Sequence, residues 1–197
     1  GLPVFHAELR VVTLDSLSGP VDGWRDVAVG ADGEVGEIVA RGPITMLGYW
    51  GQPEATAEIL RDGWVCTRDL ARIDNEGFVS LVGRRRDMFI SGGENVYPAE
   101  VEAVFLEHPA IREIAVVGVA HERWGEVGRA HVVLEPGHRL DADALGLWAR
   151  ERLAAYKIPQ RIVCERELPR TPTGKIRKQD LQEQPAEPAQ TGRGDGW

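Results

Sequence analysis

The chain has 197 residues, 43% hydrophobic and 27% charged, with 31 acidic against 23 basic side chains and a formal charge of −8. This composition excludes a disordered or fibrous chain, and the length excludes a large multidomain enzyme while allowing one ordinary domain or two small ones. The acidic balance argues against a surface built to release counterions from nucleic acid or to lie on anionic lipid.

In chain order, 5–12 alternates as a strand. The polar 15–26 stretch, with Gly19-Pro20 and Asp22-Gly23, reads as turn and loop. Ala31-Asp32-Gly33 makes a turn before a strand over 36–41, which Gly42-Pro43 ends. Pro53 suits the first position of a short helix to Leu60, which Asp62-Gly63 breaks. Strands over 64–70 and 78–82 then flank the turn 74–77. Up to Gly83 the chain is a small, turn-rich β unit with one helix.

Beyond Gly83 strands alternate with helices. Residues 88–91 are extended, and 98–106 form a helix with Pro98 first, acids Glu100 and Glu102 early, and Val101, Val104 and Phe105 at helical spacing. His108-Pro109 stops it. Strands over 111–119 and 130–134, a helix over 142–154, a strand over 162–165 and a last helix over 174–181 complete an α+β unit. From Gln182 to Trp197 the chain is rich in Gln, Pro, Ala and Gly without periodicity, and is expected to be disordered. The longest apolar run, 114–120, is far short of the ~18 residues a membrane span requires. Cys66 and Cys164 stand in no metal-ligand spacing. The expected setting is a reducing cytoplasm, with no metal centre built from these cysteines. A strand pattern starting almost at Gly1 gives the chain the look of a piece of something longer.

Several short constellations carry chemistry. Thr173-Gly174-Lys175 resembles the end of a phosphate loop, but Pro169 stands where that loop needs glycine and Ile176 where it needs Ser or Thr. What remains is a lysine on a glycine-containing loop, in a chain with only three lysines against twenty arginines. The bland alternative is a solvated surface lysine. Asp69, at the end of a strand, is placed to accept hydrogen bonds from a sugar or to cap a turn. Gly83-Arg84-Arg85-Arg86 reads by itself as a solvated linker. Ser91-Gly92-Gly93-Glu94-Asn95 offers adjacent glycines that permit positive φ or close approach of a ligand.

Taken together and in order, Gly36-Glu37-Ile38-Val39, Gly42-Pro43, Met46 to Trp50, Asp62-Gly63-Trp64 with Thr67 and Asp69, Gly83-Arg84, the run from Asp87 to Glu102, and Leu168 to Ile176 strongly resemble the adenylate-forming superfamily of acyl-CoA synthetases. The 90–98 wording is closest to fatty-acyl or aryl CoA ligases. The resemblance runs from Gly1 to about Leu181 and implies the C-terminal portion only. Residues 1–83 correspond to the last β subdomain of a large N-terminal domain, 84–86 to a hinge, 87–181 to a small mobile α+β domain, and 182–197 to a disordered tail. The fragment alone is expected to be inactive. An alternative is a non-catalytic, stand-alone interaction module of the same fold.

In such enzymes a carboxylic acid attacks the α-phosphate of Mg·ATP, giving acyl-AMP and pyrophosphate, and coenzyme A then displaces AMP. The resemblance assigns the catalytic cation to Lys175, nucleotide binding to Asp69 and Arg84, and the hinge to Arg86. Ser91, Gly92 and Gly93 fall beside the pantetheine of CoA, and Trp124 and Tyr156 near its adenine, where a packed core aromatic is the competing reading. ATP and Mg²⁺ would be held mainly by the N-terminal domain of the same enzyme, which also selects the acid. One departure stands out: Arg68 replaces the glycine usual between Thr and Asp, at a place where positive φ is cheap only for glycine.

Overall fold

A computed structural model describes residues 1–30 and 33–184. It divides into two compact units, Gly1–Arg86 and the residues from Asp87 onward. The turn expected at 31–33 therefore lies largely outside the described residues.

The first unit is an antiparallel sheet ordered β1-β2-β4-β3, with β5 also paired to β4. Its strands are β1 (Glu8–Thr13), β2 (Gly36–Arg41), β3 (Leu60–Arg61), β4 (Trp64–Ile73) and β5 (Val79–Arg84). Side chains alternate across a pleat, so each face gathers its own core. Val12, Val39, Trp64 and Cys66 pack with Leu17 and Trp24 on one face, and Val11, Val27 and Ala71 on the other. Helix α1 (Pro53–Ile59) starts on Pro53, whose missing N–H costs nothing at a first position. Between β1 and β2 the expected loop contains two single 3-10 turns, Ser16–Ser18 and Val21–Gly23.

Two expectations are corrected here. The strand expected to end near Leu70 runs on to Ile73, carried past Asp69 by a register shift between Leu70 and Ala71. The arginine run is not simply a linker: Arg84 pairs with Asp69 inside the sheet, and the Arg85 N–H donates to Arg68 O at 2.9 Å.

The second unit holds β6 (Phe89–Ser91), β7 (Glu94–Val96), β8 (Ile111–His121), β9 (Gly125–Leu134) and β10 (Arg161–Cys164), ordered β10-β9-β6-β7 with β8 on β9. Helices α2 (Pro98–Leu106) and α3 (Ala142–Arg150) cover one face, burying Val101, Phe105, Leu145 and Ala149 against Phe89, Ile114, Val116, Ala130 and Val132. The opposite face, with Ala115, Val117 and Val133, is covered by Leu168 and Leu181, with Ile176 packed alongside. Burial on both faces explains why β8 reads as an unbroken apolar run.

Helix α4 (Lys178–Gln182) replaces the helix expected from Gly174: residues 170–176 form a tight hairpin instead, closed by a bridge between Arg170 and Ile176. Gly174, at φ +86°, supplies its turn. The tail expected to be disordered from Gln182 begins in order, because the buried Arg129 guanidinium donates to the carbonyls of Leu181, Gln182 and Gln184. Residues 185–197 lie outside the described residues.

Candidate active-site elements

In the first unit, Asp69 and Arg84 stand opposite each other on β4 and β5, with Arg84 Nη1 2.8 Å from Asp69 Oδ1. Just before Asp69 the backbone of Arg68 turns left-handed, at φ +61°. Three contacts hold that turn. Thr67 donates its hydroxyl to Ile38 O at 2.8 Å and accepts the Asp69 N–H at 3.1 Å. The Arg68 N–H donates to Glu37 Oε1 at 3.0 Å. Glu37 is wholly buried, and its other oxygen lies 3.1 Å from Arg85 Nη1. A buried carboxylate must be matched by hydrogen bonds or charge, and Glu37 meets both demands with groups flanking Asp69 and the arginine run. Sequence reasoning missed this residue; the signal was a glutamate next to the apolar run Ile38-Val39-Ala40 of a strand. Glu37, Arg61, Cys66, Arg68, Arg85 and Arg86 line a cleft of about 360 Å³.

In the second unit, Ser91 is buried and paired with Gly125 of β9, while Gly92 and Gly93 form the exposed turn to β7 with φ of +60° and +91°. The Gly92 N–H donates to Trp124 O at 2.9 Å, and a Cβ on Gly92 would come 3.1 Å from the Trp124 ring. A Cβ on Gly93 would meet nothing within 4 Å. The turn therefore presents open backbone on one side and a half-buried indole on the other. Tyr156 sits on an exposed 3-10 turn, Ala155–Lys157, that packs beside β7.

Lys175 is exposed, one residue from the end of the 170–176 hairpin. Its own backbone closes the hairpin: Thr171 N–H donates to Lys175 O at 2.7 Å, and Lys175 N–H to Thr171 Oγ1 at 3.1 Å. Ile176 faces the apolar sheet, so alternation turns the neighbouring Lys175 outward. The other two lysines are ion-paired, Lys157 with Glu100 and Lys178 with Glu102, each at 2.6 Å. Among the described residues the Lys175 ammonium has no such partner. Also among the described residues, no three His, Cys, Asp or Glu side chains converge as a metal site, and no helix is long and apolar enough to cross a membrane.

Residues 100–175 match the AMP-binding enzyme C-terminal domain. The chain is 51% identical over 181 residues to a feruloyl-CoA synthase of Amycolatopsis sp, across 92% of this chain and 35% of that protein. It is 46% identical to a 2-succinylbenzoate–CoA ligase of Geobacillus kaustophilus, across 92% of this chain and 34% of the ligase. Among solved structures, it resembles the o-succinylbenzoate CoA synthetase of Bacillus subtilis in complex with its acyl-adenylate intermediate, with TM-score 0.80 and 38% identity over 94% of this chain and 35% of that one. ATP-bound MatB of Rhodopseudomonas palustris matches with TM-score 0.82 and 34% identity, over 93% of this chain and 35% of that one. The chain thus spans about a third of the length of these relatives.

Proposed function

The chain carries the C-terminal domain of AMP-binding, adenylate-forming enzymes, and from that premise we propose that it works as the C-terminal part of an AMP-forming acyl-CoA ligase. A carboxylate attacks the α-phosphorus of ATP and expels pyrophosphate. The CoA thiol then attacks the acyl carbonyl and expels AMP.

Lys175 is the cation of the first step. Carboxylate and phosphate are both anionic, and a positive charge at the point of attack offsets their repulsion and stabilises charge that grows in the transition state. The observation that carries this reading is an exposed ammonium on a closed hairpin, without an ion pair among the described residues, in a chain that pairs its other lysines. Asp69 offers its carboxylate to ribose hydroxyls, and Arg84 beside it faces the ribose–phosphate region; Mg²⁺ would arrive with the nucleotide. Rotation about Arg86 brings the Gly92-Gly93 turn in place of the lysine, and the open side of Gly93 admits the pantetheine arm. Ser91 backs that turn, and Trp124 and Tyr156 supply aromatic surface for the CoA adenine.

The test joins this chain to the N-terminal region of its feruloyl-CoA synthase relative and measures the two steps separately. Lys175→Ala lowers acyl-AMP formation by about 10²- to 10³-fold and leaves thioester formation from supplied acyl-AMP largely intact. Gly93→Leu does the reverse, with Gly93→Ala reporting how much of its loss comes from backbone strain. Equal damage to both steps by Lys175→Ala removes the assigned role.

A further inference from the structure

The hairpin that carries Lys175 is crowded with positive charge. Arg170, Lys175, Arg177 and Lys178 fall within nine residues, and neighbouring cations repel one another and compete for any anion that arrives. Three of the four are matched. Arg170 reaches Glu113 of β8 through Nη2 and donates to Gly174 O at 2.7 Å through Nη1. Lys178 Nζ lies 2.6 Å from Glu102 Oε1 of α2, and the same oxygen accepts the Val116 N–H at 2.7 Å. Arg177 pairs with Asp180 at 3.1 Å, one turn along its own helix.

The carboxylates are not equivalent. Asp180 is local, whereas Glu113 and Glu102 belong to the sheet and to the helix on its other face, and each grips one flank of the hairpin. The Arg170–Glu113 pair, half-exposed at the arginine, contributes at most about 1 kcal/mol to stability, and the more buried Lys178–Glu102 pair offsets much of its attraction with desolvation. Folding of this region is instead secured by the buried Leu168 and Leu181. Placement is another matter. A displacement of about 1 Å in a group delivered to a reacting centre costs on the order of 10²-fold in rate, so weak contacts that hold the hairpin still have large leverage on the charge at its end.

We propose that Glu102 and Glu113 are positioning residues for Lys175: by engaging Lys178 and Arg170 they hold both flanks of the hairpin and withdraw the competing cations, so that the Lys175 ammonium alone meets the reacting anions. This rests on the reading of Lys175 as the cation of acyl-AMP formation.

Two experiments test it. In the 197-residue chain, hydrogen exchange is followed at the Thr171, Gly174 and Arg177 amides, which donate to Lys175 O, Thr171 O and Pro169 O at 2.7, 2.8 and 2.8 Å. Glu102→Gln with Glu113→Gln accelerates exchange at these three about tenfold and leaves the β9 amides, and those of β8 other than Val116, which donates to Glu102 itself, unchanged; unaltered exchange at the hairpin overturns the proposal. In the joined ligase, the same double variant slows acyl-AMP formation about tenfold or more and spares thioester formation from supplied acyl-AMP. Exchanging the charges, Glu113→Arg with Arg170→Glu, restores much of what Glu113→Arg alone removes. Equal loss in both steps, or full acyl-AMP formation where Lys175→Ala abolishes it, defeats the positioning role. If Lys175→Ala itself leaves acyl-AMP formation intact, the assignment of Lys175 fails and the catalytic part of the proposal falls with it, while accelerated hairpin exchange would still support the bracing.

Discussion

Arg68 occupies a backbone conformation that glycine adopts without steric penalty. At φ +61° its Cβ is held in the left-handed region, which costs an ordinary residue about 1–2 kcal/mol. Three anchors maintain it, the Glu37 carboxylate, the Thr67 hydroxyl and the pairing of Asp69 with Arg84. What the arginine side chain returns is one exposed ion pair with Glu58 at 2.8 Å, a contact of little weight in water. Removing the strain is opposed by the greater freedom of glycine in the unfolded chain, about 0.5–1 kcal/mol. Arg68→Gly is therefore expected to be neutral or stabilising by up to about 1 kcal/mol, read from urea unfolding midpoints. A clear destabilisation would mean that the guanidinium contributes more than its exposure implies.

Among the elements, β9 places two unusual side chains beneath α4. Arg129 holds the C-terminal carbonyls of that helix, and two residues along the same face His131 is buried with Nδ1 2.9 Å from Glu165 Oε1. Its Nε2 has no hydrogen-bond partner among the described atoms. A neutral ring donating from Nδ1 leaves Nε2 as a bare acceptor, a smaller cost than an orphaned N–H. Burial, helped by the neighbouring Arg129 charge, pushes His131 below its ordinary value of 6.5, against the opposing pull of Glu165. The unfolded chain then binds this proton more readily than the folded one. The contribution of neutral His131 is complete above about pH 6.5 and declines as pH falls, by at most about 1.4 kcal/mol per pH unit. The stability difference between the protein and His131→Gln should therefore shrink from pH 7.5 to 5.5, with the other histidines cancelling in the comparison. A constant difference would show that His131 keeps its ordinary affinity for the proton.

At the scale of the molecule, the proposal places the complete chemistry in a longer enzyme, since the chain spans only about a third of the length of the relatives named as CoA synthase and CoA ligase. The 197 residues alone are expected to show no ATP–pyrophosphate exchange, measured with radiolabelled pyrophosphate. Exchange above background would overturn the reading that nucleotide and acid are held elsewhere.

Much of the architecture was legible from residue order. Pro53 and Pro98 mark their helix starts, and Gly36–Arg41 and Pro98–Leu106 fall at the expected bounds. These signals are local: ring closure, side-chain period and turn chemistry act over a few residues. Helix bounds failed where a distant surface captured the chain. Ile176 packing on the sheet made residues 170–176 a hairpin, and Arg129 holds the carbonyls of Gln182 and Gln184. The candidate site divides in the same way. Lys175, Asp69 and the Gly92-Gly93 turn were visible as residue types in a recognisable order. Their supports were not: Glu37 beneath the Asp69 turn, and Glu102 and Glu113 beside the lysine hairpin, belong to other elements. Which carboxylate answers which cation depends on distances of a few ångströms between segments far apart along the chain, and Coulomb attraction has no sequence period from which that pairing can be read.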